Sequence, residues 1–172
     1  MSRASASLAG TVALLGWLAS PVPAIDTPNE RITLVGLTTV HVVVYSTGAE
    51  GDQNNLPRPG LQAEVEQRLR RAGLRPLGAA EALKSVGRPT LELRVHLTRS
   101  RHASQIYVYS VQLALRQQIQ LARARTLESF AVTWSEPPDV GTVEPTNLSV
   151  VLEAVRAKVD QFLDAWRAAN PD

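Results

Sequence analysis

Residues 91–98 read LELRVHLT, and this octapeptide decides the fold. Apolar Leu91, Leu93, Val95 and Leu97 alternate with polar Glu92, Arg94, His96 and Thr98, the period-two pattern of a strand with one buried and one wet face. Residues 105–121 continue the rhythm, with Tyr107, Tyr109, Val111, Leu113, Leu115, Ile119 and Leu121 on one side. Residues 126–135 predict a third strand carrying Leu127, Phe130, Val132 and Trp134. The joints at 99–104 and 122–125 are too short for a crossover, so the three strands form an antiparallel meander.

Upstream, residues 25–30 read as an extended lead-in and 31–46 as the first strand. Its apolar residues fall in both alternating sets: Ile32, Leu34, Val40, Val42 and Val44 in one, Val35, Leu37, Val43 and Tyr45 in the other. That predicts cover on both faces for part of its length. Over 60–72 the stripe Leu61, Val65, Leu69, Ala72 predicts a helix, with Glu64/Arg68 and Glu66/Arg70 as i,i+4 pairs and Gly73 as its left-handed stop. Residues 78–85 form a shorter helix, ended by Gly87 and Pro89. Over 146–169, Leu148, Val151, Leu152, Val155, Val159, Phe162, Leu163 and Trp166 keep helical spacing until Asn170-Pro171. The segments 47–59 and 136–145 read as irregular loops. The expected architecture is α+β: a two-layer sandwich in which one mixed, mostly antiparallel four-stranded sheet carries two main helices on one face, in the order β-α-β-β-β-α.

The N-terminus has the composition of an export signal. Arg3 precedes the apolar run LAGTVALLGWLA at 8–19, and Val22 and Ala24 frame a small-residue exit. The expected organisation is a signal peptide over 1–24 and a single α+β domain over 25–172. The apolar run is too short to cross a bilayer as a helix, so no integral membrane span is expected after cleavage. The expected localisation is periplasmic or secreted.

Eighteen basic against 16 acidic residues create no global field for nucleic acid, and nucleic acid is not expected as a partner. The arginine groups (Arg68, Arg70, Arg71 and Arg75; Arg99 and Arg101; Arg123 and Arg125) lie at separate places in this layout and make no continuous stripe. The absence of cysteine removes disulfides, thiolate metal sites, thiol nucleophiles and a lipidated cysteine. Serine-nucleophile motifs are missing, and Gly48, Gly51 and Gly60 lack the lysine and spacing of a phosphate-cradling loop. His96 and His102 flank a hairpin turn without a third ligand near in sequence, short of the three or four a metal needs. The loop acids Glu50/Asp52 and Glu136/Asp139 read as solvated. We therefore assign no catalytic residue, no metal and no cofactor. Trp134, Glu136 and Asp139, where the last strand runs into the Pro-rich loop, are the candidate binding residues.

The stretch EQRLRRAGLRPL at 66–77, followed by PTLELRV at 89–95, resembles a helix–Gly–strand arrangement in small exported bacterial α/β domains. Examples are the N-terminal domain of TolB and the lipoprotein of lipopolysaccharide assembly. With Tyr107-Val-Tyr109-Ser-Val, a late-strand Trp and the closing Ala169-Asn-Pro171, the chain is similar to uncharacterised exported bacterial α/β proteins. It lacks the lipidated cysteine of the lipoprotein members and the propeller of TolB. The resemblance implies a binding or assembly role in the cell envelope, without catalytic residues to carry over.

The expected function is that of an exported, non-enzymatic binding or assembly module acting through protein contacts, with another envelope protein as partner. Two alternatives stand beside it. One is a small-ligand-binding protein or hydrolase with its site at loops 47–59 and 136–145; the other is a homo-oligomer built by edge-strand pairing.

Overall fold

The meander is present, and it lies within a larger sheet than expected. The computed structural model describes residues 28–47, 56–100 and 106–171. The signal-peptide assignment, Glu50, Asp52, Arg101 and His102 lie outside them, as does most of the 47–59 loop. A helical turn, α1 (Pro28–Arg31), runs into a 3-10 turn at Ile32–Leu34. Then come β1 (Thr39–Thr47), α2 (Arg58–Arg71), β2 (Arg75–Leu77), the single-turn α3 (Ala79–Ala82), β3 (Thr90–Arg99), β4 (Tyr107–Leu121), β5 (Ala124–Ser135), β6 (Asp139–Val143) and α4 (Ser149–Ala169). Six strands form one mixed sheet in the order β2-β1-β3-β4-β5, with β6 also on β4. β1 pairs parallel with β2 and β3, and the remaining pairings are antiparallel.

Two strands were not expected. β2 is three residues, too short to show a period, and its Pro76 suits a sheet edge, where no ladder donor is required. β6 lies within the segment read as a loop. It continues along the β4 edge that β5 leaves: β5 pairs with residues 114–121 of β4 and β6 with 107–111, the prolines 137 and 138 standing between.

β1 is shorter than the 31–46 strand predicted from β-branched content. Its first residues instead form the 3-10 turn and a bend at Gly36, which holds a φ of +73°. The cause lies at the other end of the chain. The Asn170 carboxamide accepts from the Gly36 N–H at 2.7 Å and donates to the Leu34 carbonyl at 2.9 Å, while the Trp166 indole donates to the Leu37 carbonyl at 2.7 Å. Each hydrogen bond contributes about 1 kcal/mol net. Asn170→Ala, which removes two of them, is expected to lower unfolding free energy by about 2 kcal/mol in urea titrations; no change would mean the bend holds itself.

α2 and α4 cover one face of the sheet. Leu61, Val65 and Leu69 of α2 and Val151, Val155, Val159, Phe162 and Leu163 of α4 close over Val40, Val42, Leu91, Leu93, Val95, Leu97, Val111, Leu113 and Leu115. Gly73 ends α2 at a φ of +93°, as its position predicted. Glu64 braces the two helices, accepting from Arg68 at 3.2 Å and from Arg156 of α4 at 3.0 Å. Those bonds, Arg68's first, hold the Glu64 carboxyl below the usual carboxylate range. Arg68 also reaches Asp160 of α4 at 2.7 Å, a second tie between the two helices.

Among the described residues the opposite face has no long helix. The short α3 closes one end of it, over Leu77 and its cross-strand neighbour His41. Of the second apolar set, expected to be covered, Val43 and Tyr45 of β1 lie on this face, the first half-buried and the second exposed, while Leu37, ahead of the strand, is buried. No helix among the described residues is long and apolar enough to cross a membrane.

Candidate functional site

The three residues singled out from sequence do not form one site. Trp134 belongs to the core: its side chain is fully buried, and its ring meets Phe162 edge-on with centroids 5.1 Å apart. Glu136 and Asp139 do share a shallow hollow of about 360 Å³, completed by Pro137, Pro138 and Ala157, Lys158 and Gln161 of α4. Glu136 is buried, not solvated as a loop acid would be, and Asp139 is half-buried in β6. Lys158, also buried, donates from Nζ to the Gln161 Oε1 at 3.1 Å. Beneath β6, the Tyr109 ring lies 2.7 Å from where a Cβ on Gly141 would stand, so any larger residue there would have to displace the ring. Burial, and then the nearby Asp139 charge, pushes the Tyr109 hydroxyl above its ordinary pKa. His96 lies on the open face in register with Ser110. Among the described residues no three His, Cys, Asp or Glu side chains come together to hold a metal.

A more organised constellation lies on the open face, and sequence reasoning missed it. Five side chains from β1, β3, β4 and β5 line up across the strands: Tyr45, Arg94, Glu92, Arg116 and Phe130. The Arg94 guanidinium carbon lies 5.6 Å from the Tyr45 ring centroid, and that of Arg116 lies 5.3 Å from the Phe130 centroid. Between them, Glu92 accepts from Arg94 Nη2 at 2.7 Å and faces Arg116 Nη1 at 3.7 Å. Cross-strand register builds the row, because Tyr45 is opposite Arg94 and Glu92 is opposite Ala114, whose small side chain leaves room for the arginines to fold over the carboxylate.

This geometry separates the charges by exposure. The Glu92 side chain is 4% exposed, against 60% for Arg94 and 48% for Arg116. What the row presents to solvent is therefore positive and aromatic, with the acid hidden beneath. Each exposed arginine–ring contact is worth about 0.5–1 kcal/mol, and the acid adds fixed geometry.

A β-bulge completes the face. Leu115 pairs with Trp134, but Arg116 pairs with Val132, leaving Thr133 as the extra residue. Simple alternation puts Phe130, Val132 and Trp134 on one side. The bulge turns Val132 and Phe130 to the open face while Trp134 stays in the core. Exposed Tyr45, Phe130, Val132 and Val140 thus all belong to the side away from α2 and α4. The polar residues at 92, 94 and 116 were visible in sequence, but nothing there shows which aromatic rings lie beside them.

No protein-family model and no curated protein matches the chain. Among solved structures it is similar to a PelC dodecamer from Paraburkholderia phytofirmans, at 19% identity and a TM-score of 0.44 over 76% of this chain and 87% of that one. It is also similar to a minor lipoprotein from Acinetobacter baumannii, at 9% identity and a TM-score of 0.30 over 77% and 93% of the two chains. At these TM-scores the likeness carries no argument about fold or function.

Proposed function

We propose that this protein is an exported, non-enzymatic binding module of the cell envelope, and that it engages another envelope protein through the open face of its sheet. The observation that carries the reading is the Tyr45–Arg94–Glu92–Arg116–Phe130 row. Arginine and aromatic residues are the side chains enriched at the centres of protein interfaces, and here they are held in place before any partner arrives. Because the exposed charge of the row is positive and its acid is hidden, the partner is a protein surface bearing carboxylates. Val132 and Val140 extend the apolar part of the footprint.

Site-specific photocrosslinking in cells producing the full chain tests this. A photoreactive residue at Tyr45 or Val140 is expected to capture the same single protein, while one at the exposed Gln67 of α2 is not. Val132→Asp, at an exposed position, is expected to remove the Tyr45 adduct by adding like charge to the interface. Equal capture from both faces, or no adduct from the open face, would overturn the reading.

Edge pairing between copies is the second reading, favoured by β5. Among the described residues no strand lies on its outer side; the Thr133 carbonyl accepts from the Thr33 hydroxyl at 3.1 Å, and the edge before it is left without a strand partner. Crosslinks from Tyr45 that join only copies of this chain would support it over the first.

A further inference from the structure

The end of the open face beneath α3 holds a hollow that shares Phe130, and no other residue, with the row of the protein-contact reading. It measures about 420 Å³ and is lined by His41, Ala79, Ala82, Leu83, Arg88, Thr90 and Phe130. That volume and its largely apolar wall fall within the range of small-molecule sites. One formal charge stands among the lining residues, the Arg88 guanidinium, and no carboxylate accompanies it. Among the described residues Arg88 makes no side-chain hydrogen bond or ion pair, a state it shares with Arg71, Arg123 and Arg125, whereas Arg68, Arg70, Arg75, Arg94, Arg116, Arg156 and Arg167 are paired with acids.

The backbone under Arg88 is unusual. Its φ is +43°, the one positive value outside glycine among the described residues, and it follows Gly87 at +70°. Neighbouring strands impose this conformation. The Gln118 N–H of β4 donates to the Gly87 carbonyl at 2.8 Å, and the His41 N–H of β1 donates to the Pro89 carbonyl at 2.8 Å. Glycine or asparagine would make the same turn without strain, so an arginine here points to a use for its side chain. His41 donates from Nδ1 to the Leu77 carbonyl at 2.9 Å, because a carbonyl can only accept; that bond fixes the ring as a wall of the hollow.

We propose that this hollow binds a small apolar carboxylate, with the hydrocarbon or aryl part against Ala82, Leu83 and Phe130 and the carboxylate on Arg88. An exposed guanidinium beside an apolar hollow takes a carboxylate as a paired, charge-assisted fork, and with no acid bonded to it the N–H donors of Arg88 are available.

The test titrates the purified protein with 2-naphthoate and, in parallel, with neutral 2-naphthamide, following backbone amide NMR shifts. Naphthoate is expected to bind at least about tenfold more tightly than the amide, moving resonances at 79–90 and around Phe130. Arg88→Gln is expected to remove that preference. Arg88→Gly is expected to remove it too while raising Tm by about 2 °C, since glycine relieves the strained backbone; this separates loss of the ligand contact from loss of fold. Equal binding of acid and amide, no binding up to millimolar concentration, or shifts centred away from α3 would each overturn the proposal.

Discussion

Replacing Trp134 with alanine is expected to destabilise the protein by about 4 kcal/mol, the upper range for truncating a buried aromatic side chain. Trp134 has no exposed surface and lies where β5, β4 and α4 converge, opposite Leu115 and edge-on to Phe162. Its removal opens a cavity that two rigid layers cannot close. Trp134→Phe is expected to cost far less, about 1 kcal/mol or below. The indole Nε1 is buried without a hydrogen-bond partner, and phenylalanine removes that orphan donor while keeping most of the ring contact. Urea unfolding of both variants checks the pair. A Phe variant as unstable as the Ala variant would show that the indole N–H has a stabilising partner.

The second large effect concerns the open face. Exchanging both Arg94 and Arg116 for methionine is expected to cost about 3 kcal/mol, more than the two single changes together. Methionine keeps the cover over Glu92 but removes both positive charges, leaving a buried carboxylate without compensation. Adding Glu92→Met to the double variant is expected to recover most of the loss, because a neutral apolar row has no charge to desolvate. Equilibrium unfolding of the two single, one double and one triple variants makes the cycle. If the triple variant is no more stable than the double, the row does not work through a desolvated charge. Loss of the Tyr45 photocrosslink in the refolded triple variant would link the same row to partner binding.

These effects show how differently sequence marks a core and a surface site. Leu91, Leu93, Val95 and Leu97 announce their face because burial is a property of each residue repeated at a fixed period. Glu92 and Arg94 were legible as the polar side of that strand, but not that Glu92 is buried there. Their joint use was not, since it depends on the registers that bring Tyr45 and Arg116 beside them. The candidate residues at the Pro-rich turn fared unevenly for a related reason. Glu136 and Asp139 do border one hollow with α4, but Trp134 faces inward, because alternation alone gives a side chain's face and not the element waiting there.

The amino-acid sequence by itself determined the α+β class, the antiparallel meander, the two main helices with their buried stripes, and the glycine stop at Gly73. Each rests on local periodicity or on the freedom of one residue, and neither needs knowledge of distant neighbours. The tertiary structure decided where β1 begins, that residues 139–143 become a strand, and which way Phe130 and Val132 point. The first depends on Asn170, which reaches across the fold to bend the chain at Gly36. The second depends on β4 being long enough to offer β6 an edge beyond β5. The third depends on one unpaired residue, Thr133, whose bulge shifts the phase of β5. In all three, bonds between residues far apart in sequence outweigh local preferences worth about 1 kcal/mol or less.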